Sequence, residues 1–367
     1  MMKLVFENAT IRDSITKAAR VAPTRGNAFD KAAGILISVV DGQVSLRATD
    51  MEIFYHEVVD AVSVEGDGEW RLPSILLGGF FGKIPIGSGK QLTMVQEGTV
   101  VVASTGRARG KFRMIPAEYF PTWEPFDGEG LETVPNLGAR IEMVSWACDP
   151  KRPPLTGVNL NGTRILGADG YRIAIAPCVA PMIEQPITVP ANVFSPIMKN
   201  LGDVKLGIAD GHLLMMPDAS TQIKAIIYAQ AYPSIDHVLV RDQPDGITFN
   251  KTELLETIDQ AMVFAGISRT PAMKLIIGKG ELAVMMIDQD HNLFGNVIEI
   301  PDQAGHGRVQ VSFTPKNIAD ALNGAPSESV SLYYNSEDMK KAFRLDGGSG
   351  YEAWIMPRRQ GATDGEQ

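Results

Sequence analysis

Cysteine is almost missing, with Cys148 and Cys178 the two in 367 residues. Their spacing forms no zinc motif, and so few thiols point to a reducing compartment and a cytoplasmic location. No apolar run approaches the roughly 18–20 residues needed to span a bilayer. The apolar part of Met1-Met2-Lys3-Leu4-Val5-Phe6 is too short for a secretory signal and reads as a strand. Positive charge is in deficit: 34 Lys and Arg stand against 43 Asp and Glu, a net charge of −9. This argues against a protein that coats nucleic acid by bulk attraction, but leaves open one that gathers its basic residues on one face. Catalytic signatures are absent too. There is no H-E-x-x-H and no paired-cysteine motif, so no cofactor or metal is implied. Ile86-Gly87-Ser88-Gly89-Lys90 lacks the glycine spacing of a phosphate loop and carries Gln91 where Ser or Thr is needed, so it reads as a hairpin turn. The five histidines (His56, His212, His237, His291, His306) are scattered.

What the chain does have is repetition. Gly167-Ala168-Asp169-Gly170-Tyr171-Arg172-Ile173 closes an apolar run with a small residue, an Asp and a second strand. Val44–Ile53 around Asp50 has the same build, and Leu282–Asp288 is a looser third copy. Asp50, Asp169 and Asp288 are 119 residues apart in both intervals. A period that long is domain-sized rather than solenoidal. A second set of landmarks agrees. Apolar strands ending at Pro73, Pro190 and Pro315 lie 117 and 125 residues apart and precede helix-like segments, where proline suits the first turn. Each such segment gives way to a strand pair, the last being Val330–Tyr334 with Lys341–Leu345. The chain therefore reads as α+β, with three similar sheet-plus-two-helix domains at 1–122, 136–240 and 247–359 and a polar tail over 360–367. With 44% hydrophobic and 21% charged residues, the core is ample.

Local signals fill in the elements. Asn8 is expected to cap a helix running to Val21, with Ile11, Ile15, Ala18 and Ala19 facing inward and Arg12, Lys17 and Arg20 on the other side. A short helix is expected over 139–147, and Asn250 is expected to cap another over 251–264. The basic strand Arg107-Ala108-Arg109-Gly110-Lys111-Phe112-Arg113 reads either as an edge guarded by charge or as an edge that pairs with another subunit. The repeat aspartates read as turn formers that bond their own backbone. The competing reading makes them the carboxylates of a metal-dependent nuclease or hydrolase, but no convergent acid–base or metal set accompanies them. A ring-shaped scaffold that does not hold DNA is a third possibility.

The three α+β repeats, Thr49-Asp50, Ala168-Asp169-Gly170-Tyr171-Arg172, the strand from Gly106 to Pro116 with Ala117-Glu118-Tyr119-Phe120-Pro121, and Met356-Pro357-Arg358 together resemble the bacterial DNA sliding clamp, the beta subunit of DNA polymerase III. The resemblance covers about 1–359. It implies a non-enzymatic processivity factor: a head-to-tail homodimer closing a six-domain ring around duplex DNA and bound without regard to sequence. It places Arg25, Lys151, Arg152 and Lys199 against DNA. The dimer contact falls on Arg107, Arg109 and Lys111, meeting Phe264, Ile267 and the strand 296–299 of a partner chain. It further implies a pocket for short linear motifs of the replicative polymerase, clamp loader and repair proteins. That pocket is lined by Leu155, Thr156, Gly157, Ala168, Gly170, Tyr171, Arg172, Ile173, Pro233, His237, Val238, Trp354, Ile355, Met356, Pro357 and Arg358. Its apolar walls suit an extended peptide's Leu and Phe, with Arg172 fixing polar ends. His237 stands where the family commonly has Arg, and Trp354 is bulkier than the usual aliphatic residue.

Overall fold

A computed structural model describes residues 2–23, 31–85, 87, 90–191, 197, 201–266, 268, 271–278, 280–301 and 308–358. The element order repeats three times. The first round is β1 (Lys3–Glu7), α1 (Asn8–Val21), β2 (Ile35–Val40), β3 (Gln43–Thr49), β4 (Ile53–Val59), β5 (Ser63–Glu65), β6 (Gly68–Leu72), α2 (Ser74–Phe81), β7 (Gln91–Glu97), β8 (Val100–Thr105) and β9 (Ala108–Arg113). The second is β10 (Glu132–Val134), α3 (Leu137–Ser145), β11 (Gly157–Leu160), β12 (Arg164–Ala168), β13 (Arg172–Pro177), β14 (Ile187–Pro190), β15 (Val204–Ala209), β16 (His212–Met216) and β17 (Thr221–Ile226). The helix expected after Pro190 lies outside the described residues, and Lys199 with it. The third is β18 (Asp245–Asn250), α4 (Lys251–Val263), β19 (Met273–Gly278), β20 (Glu281–Ile287), β21 (Leu293–Glu299), β22 (Val309–Phe313), α5 (Pro315–Gly324), β23 (Ser329–Tyr334), β24 (Phe343–Gly348) and β25 (Tyr351–Ile355).

The strands form four sheets among the described residues, and the chain divides into two compact units that cut across the repeats. One unit is Met1–Ala139 with Val189–Ala229. It holds sheet A, ordered β5-β1-β7-β8-β9, and sheet B, ordered β10-β15-β16-β17-β4-β3-β2-β6. Sheet B joins the first two repeats through antiparallel β17 and β4, where Ala225 faces Ile53 and Ile223 faces Tyr55. The other unit is Arg140–Thr188 with Gln230–Gln367. It holds sheet C, ordered β14-β11-β12-β13-β25-β24-β23-β18, and sheet D, ordered β21-β20-β19-β22. Sheet C joins the second and third repeats through β13 and β25, where Arg172 faces Ile355 and Ala174 faces Ala353.

Strand alternation sends one set of side chains under the helices. In α1 the buried Ile11, Ile15 and Ala18 repeat at helical spacing, as the sequence predicts. Asn8 corrects that reading, because it is the first helical residue rather than the cap. Its buried amide donates to Thr105 Oγ1 at 3.0 Å and to the Pro85 carbonyl at 3.2 Å, and Glu7 takes the cap position without a side-chain bond. Asn250 does cap α4, accepting the Glu253 N–H at 3.0 Å. Pro315 occupies the first turn of α5, whereas Pro73 precedes α2 and Pro190 ends β14. The short helix of the second repeat starts two residues earlier than expected, at Leu137.

Candidate functional site

The three repeat aspartates are turn formers. Asp50 Oδ1 accepts the N–H groups of Glu52 and Ile53, Asp169 Oδ1 those of Tyr171 and Arg172, and Asp288 Oδ1 those of Asp290 and Asn292. No group of three or more His, Cys, Asp or Glu able to hold a metal occurs among the described residues. Each turn starts the strand that follows it, and in the second repeat the turn also builds a cavity.

That cavity, of about 220 Å³, lies within one unit between the face of β12, β13 and β25 and the segment after β17 that crosses them. Its floor is the buried cluster of Leu166, Ala168, Ile173, Ile175, Ile235, Ala342 and Trp354, with Leu155, Val238 and Met356 packed around it. The size is below that of a drug-sized ligand site and suits one or two apolar side chains. Gly170 needs its positive φ of 92° to turn the chain at the rim. This leaves Tyr171 67% exposed beside the opening, while its carbonyl accepts the Met356 N–H at 2.8 Å.

Eleven residues expected from the sequence line this one cavity: Leu155, Ala168, Gly170, Tyr171, Arg172, Ile173, Pro233, His237, Val238, Trp354 and Met356. Thr156, Gly157, Ile355, Pro357 and Arg358 do not. Gly157 starts β11, and its carbonyl faces Cys148 Sγ at 3.3 Å. Ile355 is fully buried on the opposite face of β25 from Trp354. Arg358 turns away, its N–H bonding the Ser312 carbonyl and its Nη1 the Pro271 carbonyl. Sequence reasoning missed Ser234, Ile235 and Ala342. Ser234 and Ile235 sit beside Pro233 and His237, which were expected, but Ala342 arrives from the residue just before β24 with no local signal.

Arg172 lines the cavity while its guanidinium is held by protein partners. Its Nε bonds Asp169 Oδ2 at 2.9 Å, its Nη1 bonds Asp320 Oδ2 at 2.9 Å and Asn317 Oδ1 at 3.2 Å, and its guanidinium lies 5.3 Å from the Trp146 ring centroid. The charge is therefore committed to docking α5 beside α3. Arg152 bonds Asp149 and the Asp169 carbonyl, which puts an exposed guanidinium near Gly170 at the same rim. Lys151 is exposed on the same loop. Arg25 lies outside the described residues. Burial pushes the Cys148 thiol up to about 12 and that of Cys178 to about 11, so both are inert at neutral pH.

The residues expected at a dimer contact occupy open edges. β9 is the outer strand of sheet A, with Arg107, Arg109 and Lys111 exposed and Arg109 bonded to Glu97 at 3.1 Å. β21 is the outer strand of sheet D, and Phe264 packs on its Phe294 at 5.6 Å between ring centroids. Ile267 lies outside the described residues. No helix of the described chain is long and apolar enough to cross a membrane.

Repeated α+β units and sheets shared between neighbouring repeats define a DNA-clamp type of fold. Comparison with known proteins shows what the chain is similar to. Residues 2–124 match the model of the DNA polymerase III beta subunit, N-terminal domain. The chain is 21% identical over 401 residues to the beta sliding clamp of Synechocystis sp., covering 98% of this chain and 99% of that one. It is 22% identical over 385 residues to that of Streptomyces coelicolor, with the same coverage. The crystal structure of the DNA polymerase III beta subunit from Thermotoga maritima aligns with a TM-score of 0.81 at 19% identity, covering 98% of this chain and all of that one. By sequence and fold together, the chain resembles the bacterial sliding clamps of DNA polymerase III.

Proposed function

We propose that two copies of this chain close head to tail into a ring that encircles duplex DNA, and that the cavity on sheet C takes short apolar peptides of the proteins the ring tethers. On this reading the clamp domains span 1–122, 136–240 and 247–359. The ring catalyses nothing; it keeps a replicative polymerase on its template and serves clamp loader and repair proteins through the same cavity.

One observation carries the dimer. In each repeat the last strand has a buried residue facing a buried residue of the strand before it: Phe112 with Val101, Ala225 with Leu213, Ile355 with Phe343. In each repeat the N–H of the turn Asp bonds the carbonyl of Ile53, Arg172 or Asn292. Within the chain Ala225 faces Ile53 and Ile355 faces Arg172. The same rule leaves Phe112 to face Asn292 of another copy, with Lys111 opposite Leu293, Arg109 opposite Gly295 and Arg107 opposite Val297. The helices beside these edges carry the matching apolar surface, with Leu76 63% exposed on α2 and Val263 77% exposed at the end of α4. Glu299 on β21, with Glu281 beside it on β20, complements the basic β9.

The test is mass in solution by sedimentation, expected near twice 39.7 kDa at low micromolar concentration. Retention on nicked circular DNA and loss from the same DNA once linearised would then separate a ring that holds DNA from one that does not. A monomer under all conditions overturns the dimer. Lys111→Cys with Leu293→Cys should cross-link two chains on oxidation. Lys111→Cys with Phe294→Cys, which places the thiols on opposite faces, should not.

The described helices add a feature of DNA handling. The exposed side of α1 carries Arg12, Lys17 and Arg20 against Asp13, whereas that of α4 carries Glu253, Glu256 and Asp259. The exposed side of α1 therefore offers duplex DNA more positive charge than that of α4.

A further inference from the structure

The far wall of the cavity is the indole of Trp354, which is 1% exposed and donates its Nε1–H to the Val240 carbonyl at 3.3 Å. The next residue, Arg241, holds its guanidinium 5.5 Å from that ring's centroid. It also forks onto Glu352, with Nη1 to Oε1 at 2.8 Å and Nη2 to Oε2 at 2.6 Å. Glu352 stands two residues before Trp354 on the same face of β25. Arg344 bonds the same carboxylate at 2.8 Å and lies 4.2 Å from the Tyr333 centroid. Burial would raise the Glu352 carboxyl, but Arg241 and Arg344 outweigh it and hold the group below its ordinary value. The crossing segment is thus fastened to β25 by a charge-assisted fork laid over an indole.

We propose that the Arg241–Glu352 fork is a positioning element of the cavity. It sets the crossing segment, and with it Val238 and the Trp354 wall, at the separation that admits one Leu or Phe side chain of an extended peptide. This rests on the peptide-binding reading of the cavity and adds that affinity for an apolar peptide depends on an ion pair that never touches the peptide. Two consequences follow. Arg241 is largely exposed, so salt screens the pair and should weaken binding of even an uncharged peptide. Salt should leave or strengthen purely hydrophobic anchoring. Removing both partners should cost no more than removing Glu352 alone, whose loss releases Arg241 and Arg344 together.

The experiment measures binding of an uncharged, end-capped pentapeptide with one Leu and one Phe to the full chain by calorimetry at low and high salt. The proteins are the parent, Arg241→Ala, Glu352→Gln, the double variant and Arg241→Lys. Expected are roughly tenfold weaker binding for each single variant, no further loss in the double, and an intermediate value for Lys, which keeps the charge without the fork. The parent's salt dependence should vanish in both single variants. Thermal unfolding checks that each variant folds. Parent binding with Arg241→Ala unchanged, or with salt dependence retained in the variants, overturns this inference alone. A parent that binds no such peptide removes the peptide-binding reading and this inference together.

Discussion

Two segments of the molecule do the same structural job with opposite results. After β9, the chain crosses the outer face of sheet B; after β17, it crosses that of sheet C. The first crossing meets a polar face bearing Arg47, His56 and Gln222. It seals that face with Trp123, which stacks edge-on to Phe54 at 5.2 Å with the Arg47 guanidinium 5.6 Å from its ring. Gln222 fixes it further, donating to the Phe126 carbonyl at 2.6 Å. The second crossing meets Leu166, Ile173, Ile175 and Trp354 and brings Pro233, Ile235 and Val238, which leave a hollow. One tryptophan on the crossing segment plugs a face; the other, on the strand beneath, walls a cavity. A small apolar hollow of this kind favours an apolar guest because its lining gives up little to water when covered.

Substitutions can make each crossing segment behave more like the other. Plugging the hollow by Val238→Trp, in imitation of Trp123, should weaken binding of a Leu- and Phe-bearing peptide by about 100-fold or more with little change in thermal stability. Isothermal titration would show it. Emptying the plug by Trp123→Ala should cost about 2 kcal/mol, less than a fully buried tryptophan because this one is half-exposed, and should appear as a lower denaturant midpoint with peptide affinity unchanged. Arg172→Lys keeps a charge but loses the fork to Asp169 and Asp320 and the stack on Trp146. It should lower stability by roughly 1–2 kcal/mol, read by chemical denaturation, and weaken the peptide only secondarily. The smallest effect is in pH. His56 is held below its ordinary 6.5 by burial and then by the neighbouring Arg47. A histidine so depressed contributes stability that is complete above 6.5 and is lost as pH falls through its folded value. Unfolding midpoints measured from pH 8 down to 5 should therefore fall more for the parent than for His56→Gln. The cavity face presents no such group beneath its crossing segment.

Much of this was legible in residues alone because the information was periodic. Three aspartates at equal spacing, each needing only its own next few N–H groups, announced three turns and three strand pairs. The basic strand Arg107–Arg113 announced an edge, since a central strand would not carry charge at alternate positions. The resemblance brought eleven cavity residues to notice, all close to recognisable motifs. Ala342 was not readable, because strand neighbours distant in sequence leave no local mark. Nor was the commitment of Arg172 to Asp320, which lies 148 residues away.

Local chemistry, then, was set by the sequence itself: turn aspartates, capping by Asn250, buried spacing in α1, and a repeat long enough for each copy to hold a core. Tertiary structure decided what depends on registration between distant strands. It cut the chain into two units across the repeats, because β17 pairs with β4 and β25 with β13. The same pairing rule left β9 and β21 open. It also decided which crossing segment was plugged and which was hollow, since the fit of Trp123 or Val238 depends on the side chains that strand pairing places beneath it.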